Sequence, residues 1–179
     1  GSTAQISKPA TCPNGAFQNH IWCIQSTNTL PVSVAAASPV IFNNRIYLIG
    51  GLSGNNNTNT IMRANLGTDG SVGAWTQQSM SGAGATSVSY QYAYTRANPA
   101  DATNNPGHLF IFGGCTNSNN AGCTAYSQNV YRCNIQAAGA IASCSTTNQL
   151  QIGTIPGDTQ TGLAIMSGTV YANYVYLIG

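Results

Sequence analysis

The chain has 179 residues, of which only 4% are charged, and its formal net charge at pH 7 is +2. Five basic and three acidic residues, scattered along the sequence, are too few for the basic footprint of a nucleic-acid-binding protein. Hydrophobic residues make up 42%, which argues against disorder, and no run of 18 apolar residues predicts a membrane span. The solubility of the protein must therefore come from Asn, Ser, Thr, Gln and Gly on its surface. This composition is typical of secreted and cell-surface β proteins.

The first 27 residues divide into two parts. Residues 1–9 carry no periodic pattern, and we predict a loose N-terminal arm there. Residues 10–27 contain Cys12 and Cys23, which are 11 positions apart, with the apolar pair Ile21-Trp22 beside the second cysteine.

Residues 38–51 predict a β-hairpin. The apolar runs Val40–Phe42 and Ile46–Ile49 are rich in β-branched and aromatic residues, which suit a pleated, buried surface. Asn43-Asn44 between them predicts a two-residue turn, because Asn tolerates positive φ. Gly50-Gly51 then ends the second strand at a point where a side chain would be in the way.

This hairpin sequence returns twice along the chain. His108–Gly114 matches its second half, and Val170–Gly179 matches nearly the whole hairpin. Gly50 and Gly113 are 63 positions apart, and Gly113 and Gly179 are 66 apart. A repeat at this spacing indicates an architecture built from repeated structural units.

The repeat resembles the kelch motif of β-propellers, in which a hydrophobic strand ending in Gly-Gly precedes an aromatic strand and a Trp. Trp75 follows Gly70 in the first copy, whereas Cys144 stands at the corresponding position of the second. The resemblance implies an all-β fold of four-stranded antiparallel blades, with strands A to D counted outward from the propeller axis. A propeller needs at least four blades, and about three blade-equivalents are visible, so we predict a partial propeller.

The resemblance also implies a division of the kelch-like segment, residues 10–179. We predict a half-blade of strands C and D at 10–27, blade one at 30–80, blade two at 81–150 and a half-blade of strands A and B at 151–179. In blade one the predicted strands are Ala36–Phe42, Arg45–Gly50, Thr60–Asn65 and Ala74–Gln78; later ones include Val88–Tyr94, Asn129–Asn134, Ala142–Thr146, Leu163–Tyr171 and Tyr174–Gly179. The open half-blades could be completed by further blades or by another chain, and two copies of this chain could form a six-bladed ring.

The six cysteines allow fifteen disulfide connectivities. The repeat register places Cys133 opposite Cys144 across a C–D hairpin, close enough for a disulfide, and Cys115 and Cys123 flank a short Asn/Gly-rich loop. The favoured pairings are therefore Cys12–Cys23, Cys115–Cys123 and Cys133–Cys144. Three disulfides imply an oxidising compartment, so we predict a secreted or cell-surface protein.

Neither metal binding nor catalysis has a clear set of residues in this sequence. His20 and His108 lack metal-ligand spacing to a Cys pair and lie near no nucleophile motif, so no metal and no cofactor are predicted. The acids Asp69, Asp101 and Asp158 each fall in a predicted turn or loop and do not resemble a paired-carboxylate site. We predict that the chain binds and does not catalyse; the alternative is a fragment of a carbohydrate-active propeller enzyme whose catalytic residues lie outside it. Arg63 and Arg132, at equivalent strand-C positions, are interpreted as structural contacts.

Binding is predicted on the loops of one propeller face. The B–C loops at 52–59 and 115–128 should lie side by side there, and their Asn, Ser and Thr side chains suit neutral polar ligands such as glycans. Strict alternation would place Tyr90, Tyr92 and Tyr94 on one face of a strand, either to stack on a ligand or to pack between blades. The candidate ligand-binding residues are Asn55, Asn57, Asn59, Asn117, Asn119, Tyr126, Tyr90 and Tyr92. The predicted function is an extracellular adhesion module for a glycan or a surface protein; a structural subunit that assembles through its half-blades is the alternative.

Overall fold

The computed structural model describes residues 28–68, 70–82, 87–119, 122–150, 162, 164, 167–172 and 174–178. The predicted arm at 1–9 and the predicted half-blade at 10–27, with Cys12 and Cys23, lie outside the described residues. In chain order the strands are β1 (Ser38–Phe42), β2 (Arg45–Ile49), β3 (Leu52–Ser53), β4 (Asn56–Asn57), β5 (Thr60–Asn65), β6 (Thr76–Ser79), β7 (Tyr92–Ala97), β8 (Gly107–Phe112), β9 (Cys115–Asn119), β10 (Gly122–Tyr126), β11 (Asn129–Ile135), β12 (Ile141–Gln149), β13 (Ser167–Tyr171) and β14 (Tyr174–Ile178).

The two predicted blades are four-stranded antiparallel sheets. Blade one has the strand order β1-β2-β5-β6, and blade two has the order β7-β8-β11-β12. β13 and β14 form a two-stranded antiparallel sheet, as expected for strands A and B of a further blade. Regular helical structure in the described residues is limited to a 3-10 helix, Pro99–Asp101, in the long A–B connection of blade two. The all-β fold built of kelch-like blades is therefore confirmed.

The tight A–B turn of blade one is formed by Asn43 and Asn44, both in the left-handed region at φ 45° and 55°. Phe42 pairs directly with Arg45 across this two-residue turn, the geometry that matches the twist of antiparallel strands. The predicted strand C, Thr60–Asn65, is correct at both ends. Local turn chemistry and apolar patterning were sufficient to place this part of the fold.

Strand A of blade two does not start where the sequence predicts. It begins at Tyr92, not Val88, because the residues before it bond to other parts of the chain. Ser89 exchanges two backbone hydrogen bonds with Cys115, at 3.1 and 2.7 Å. Tyr90 has φ +55° and donates its N–H to the Ala36 carbonyl oxygen at 3.0 Å. The prediction that Tyr90 shares a strand face with Tyr92 and Tyr94 is therefore wrong.

The main hydrophobic core lies between blades one and two. It combines residues from both sheets: Val40, Tyr47, Ile49, Ile61, Met80, Val88, Ala93, Leu109, Ile111, Tyr131, Cys133, Ile135, Ile141 and Cys144. The Tyr47 hydroxyl crosses this interface and donates to the buried Gly139 carbonyl oxygen at 3.1 Å. Burial raises the pKa of the Tyr47 phenol, against a smaller lowering by the Arg45 and Arg63 charges. Its interface hydrogen bond therefore persists across the ordinary pH range.

Two of the three predicted disulfides fall in the described residues, and both are present. Cys133–Cys144 joins β11 to β12 inside the core, with both residues buried. Cys115–Cys123 joins β9 to β10. The remaining prediction, Cys12–Cys23, falls outside the described residues.

A second apolar cluster lies between blade two and the β13–β14 sheet. Phe112 and Val130 are buried there, against the partly buried Tyr92, Tyr94, Phe110, Leu150, Val175 and Leu177. A cleft of about 450 Å³ lies at this junction. On its opposite side, the β13–β14 sheet exposes four large side chains, Tyr171, Tyr174, Tyr176 and Ile178.

Candidate functional site

The B–C connections of the two blades, predicted as loops, each contain a small hairpin. In blade one, β3 pairs with β4 through Leu52–Asn57 and Ser53–Asn56. In blade two, β9 pairs with β10 over a longer stretch, closed by the Cys115–Cys123 disulfide. We call residues 52–57 and 115–126 the rim hairpins. The sequence of both is free of charged residues.

Asn57 joins the two rim hairpins. Its Nδ2 donates to the Cys115 carbonyl oxygen at 3.0 Å, and its Oδ1 accepts from the Ser89 and Ser118 hydroxyls at 2.8 and 2.9 Å. Ser118 Oγ also lies 3.0 Å from the Asn55 carbonyl oxygen. The rim hairpins therefore lie side by side and form one continuous surface.

The predicted ligand-binding asparagines differ in whether their side chains are exposed to solvent or engaged in contacts within the fold. Asn55 and Asn117 are exposed, one on each rim hairpin. The Asn57 amide is occupied by the hairpin junction, and Asn59 is partly buried, with its carbonyl oxygen accepting from Met80 N–H at 2.7 Å. Asn119 ends β9, and its side chain lies outside what the structure describes. Ligand binding by these residues stays a prediction, with Asn55 and Asn117 the accessible members.

Two of the tyrosines predicted to contact a ligand, Tyr126 and Tyr92, make contacts within the fold. Tyr126 is partly buried, and its hydroxyl donates to the Cys123 carbonyl oxygen at 3.3 Å. Tyr92 packs on Phe112 with ring centroids 6.0 Å apart, and partial burial, with a smaller contribution from Tyr94, raises the pKa of its phenol. These contacts favour the packing interpretation of Tyr92 over stacking on a ligand.

The described residues contain no group of three or more His, Cys, Asp and Glu side chains that could hold a metal ion. Asp101, in the A–B connection of blade two, accepts from the Asn105 amide at 2.6 Å. Hydrogen bonding from Asn105, and secondarily from Asn104, holds the pKa of this carboxyl below its ordinary value. His108 bonds through Nδ1 to Asn134 Oδ1 at 3.0 Å within blade two. Asp101 and His108 thus make local contacts.

Sequence reasoning missed a pair of arginines at the other end of blade one. Arg45 and Arg63 line a cleft of about 190 Å³ beside the C–D turn of blade two. The predicted structural contact of Arg63 is present, since its guanidinium donates to Gln78 Oε1 at 3.2 Å. Antiparallel pairing of the predicted strands B and C, Arg45–Gly50 and Thr60–Asn65, could have placed these two arginines close together.

The two four-stranded antiparallel sheets of the described residues are consistent with blades of a partial kelch-like propeller. Residues 34–63, which run from the approach to β1 into β5 and include Gly50-Gly51, match the family model of the Kelch motif. This segment thus carries a Kelch motif, and kelch motifs generally serve as binding modules in protein–protein interaction. No curated protein matches the chain.

Two observations bear on the cellular location. Both disulfides of the described residues are compatible with an extracellular protein, because disulfides persist in oxidising environments. Within the described residues, no helix has the length and apolar character needed to cross a membrane.

Proposed function

We propose that the protein is an extracellular adhesion module that recognises a neutral polar ligand, foremost a glycan, on the rim hairpins. The observation that carries this proposal is the junction at Asn57, which joins two uncharged, Asn/Ser/Thr-rich hairpins into one surface. Amides and hydroxyls both donate and accept hydrogen bonds, as recognition of sugar hydroxyls requires.

The rigidity of this surface supports the proposal. The Cys115–Cys123 disulfide closes the longer hairpin, and the Ser89–Cys115 backbone pairing anchors its base to the D–A connection. A site held in one geometry loses less conformational entropy on binding than a mobile loop does. Loops placed on a rigid scaffold commonly carry binding function.

The test is a panel of immobilised neutral glycans, screened with the unreduced protein and with rim variants. We expect Asn117→Ala and Asn55→Ala each to weaken binding by roughly fivefold to tenfold, the cost of about one hydrogen bond. Gln77→Ala, at an exposed position of β6 away from the rim, is the matched control and should bind like the parent. Binding to no glycan, or equal binding by both rim variants and the parent, would contradict the proposal.

A second candidate function is that of a structural subunit, and the exposed face of the β13–β14 sheet favours it. Tyr176 is 50% exposed and Ile178 is 70% exposed. The equivalent residues of blade one in the repeat register, Tyr47 and Ile49, are almost completely buried against blade two. This face is therefore built to be covered by another blade, which a second copy of the chain could supply.

Light scattering on the unreduced protein tests this second function. We expect a mass near twice 18.5 kDa, and expect Tyr176→Glu to convert the dimer to monomer, because it places a charge in the buried contact. Gln77→Glu adds the same charge on β6 and should stay dimeric. A monomeric parent protein would exclude self-assembly.

A further inference from the structure

A polar cleft opens at the end of the blades opposite the rim hairpins. Its volume is about 190 Å³, and its lining includes Arg45, Arg63, Asn65, Thr76 and Ala138. This is below the roughly 300–1,000 Å³ of pockets for drug-sized ligands. The cleft therefore suits a single small ring or group.

Strand register brings the polar side chains of the cleft together. Arg45 pairs with Asn65 across β2 and β5, and Arg63 pairs with Thr76 across β5 and β6. Directly paired residues project on the same side of a sheet, as do residues two apart on one strand. All four side chains therefore project from the face of blade one that packs on blade two.

Blade two holds both arginines in position. The stem of Arg45 packs on Gly139, where an added Cβ would lie 2.6 Å from the Arg45 Cδ and Nε atoms. Arg63 donates to Gln78 Oε1, and Gln78 is itself anchored by two bonds to the Ile141 backbone, at 2.8 and 3.1 Å. Little side-chain freedom remains to be lost when a ligand binds.

The two guanidinium groups carry positive charge that the described residues do not neutralise. Among the described residues neither arginine has an ion-pair partner. Arg45 donates one hydrogen bond to the Asn43 carbonyl oxygen, and Arg63 donates one to Gln78 Oε1. A guanidinium has five N–H donors in a planar fork that matches a carboxylate or sulfate. Both groups also lie close enough to Tyr47 to lower the pKa of its phenol against the effect of burial. The cleft therefore brings together two of the five basic residues of a sparsely charged protein.

We propose that this cleft binds an acidic saccharide, with the carboxylate or sulfate group held between Arg45 and Arg63. The Asn65 amide and Thr76 hydroxyl supply hydrogen-bonding atoms for ring hydroxyls. The Ala138 methyl group provides a small apolar surface for the ring C–H groups. This site is separate from the rim hairpins and does not depend on them.

Isothermal titration with methyl β-glucuronide tests the proposal, with methyl β-glucoside as its uncharged counterpart. We expect saturable binding of the glucuronide that weakens as NaCl is raised, and none of the glucoside. Arg45→Gln and Arg63→Gln should each weaken glucuronide binding by roughly tenfold or more, since each removes charge-assisted hydrogen bonds. Arg132→Gln is the matched control, because it removes one charge at the equivalent exposed position of blade two, and should bind within about twofold of the parent.

Further variants and probes distinguish saccharide binding from attraction of any anion and from loss of the fold. Arg45→Lys retains a stem that packs on Gly139 but lacks the planar fork, so it should weaken binding while circular dichroism shows an intact fold. Sodium acetate should bind much more weakly than the glucuronide. Equal binding of acetate, tighter binding of a short Asp/Glu peptide, or full binding by both glutamine variants would overturn the proposal. Asn117→Ala, on the rim, should leave glucuronide binding unchanged, so this site and the glycan-binding rim can fail independently.

Discussion

Replacing Gly50 with Ala is expected to lower the free energy of unfolding by about 2–5 kcal/mol. Gly50 has φ +59°, and an added Cβ would collide with the carbonyl oxygen of Val88. The left-handed conformation costs an L-residue about 1–2 kcal/mol, and overpacking a buried site costs typically 1–3 kcal/mol more. Val88 is fully buried in the core between blades one and two, and its carbonyl oxygen also accepts from Gly51 N–H at 2.8 Å. The collision therefore strains the junction of the two blades.

Gly54→Ala separates these two costs. Gly54 has nearly the same φ, +60°, but nothing lies within 4 Å of an added Cβ. It should therefore lose only the conformational part, about 1–2 kcal/mol. Urea unfolding of both variants measures the difference directly. Equal losses would show that close packing at Gly50 contributes nothing and that glycine is needed there only for its φ.

The elements predicted most accurately are those set by local chemistry. Asn43-Asn44 defines a tight turn, Thr60–Asn65 reads as a strand, and the spacing of the double glycines gives the repeat. Each depends on residues close in sequence or on a period that a single chain displays. Turn geometry and apolar patterning therefore sufficed for the A–B turn and strand C of blade one, whereas strand A begins at Ser38 and not at Ala36, and strand D spans Thr76–Ser79 and not Ala74–Gln78.

The prediction failed where distant residues compete for the backbone. Ser89 pairs with Cys115, and Tyr90 bonds to the Ala36 carbonyl oxygen, so the tyrosine alternation breaks before Tyr92. Nothing within residues 88–94 signals these contacts. A regular apolar pattern is overridden when tertiary hydrogen bonds fix a left-handed residue within it.

The candidate sites were only partly visible for the same reason. The polar composition of the rim hairpins indicated a binding surface, but the contacts of Asn57 with Ser89 and Ser118 span 32 and 61 positions. Similarly, strand register could have paired Arg45 with Asn65, whereas the supporting wall at Gly139 belongs to the next blade. Side chains that cross between repeats cannot be assigned from one sequence.

Removing the Cys133–Cys144 disulfide by double substitution with Ala should cost about 3 kcal/mol or more. The bridged residues are 11 positions apart, and closing a loop of that size in the unfolded chain accounts for about 3 kcal/mol in the chain-entropy model. Both residues are also buried in the core, so lost packing adds to the effect. The melting temperature of a chain this size should fall by roughly 6–12 °C.

The matched variant is Cys115→Ala/Cys123→Ala, which opens a loop of similar size, 8 positions, on the rim. Cys115 is itself buried and pairs with Ser89, but β9 and β10 form a two-stranded sheet of their own, so the tip of the hairpin can fray while the blades stay folded. We expect a smaller drop in melting temperature, with faster amide hydrogen exchange confined to the rim hairpins. If this variant instead lost as much global stability as the Cys133/Cys144 variant, the rim hairpins would have to unfold together with the core. The proposed binding surface would then be an integral part of the folding unit and not a feature added to its edge.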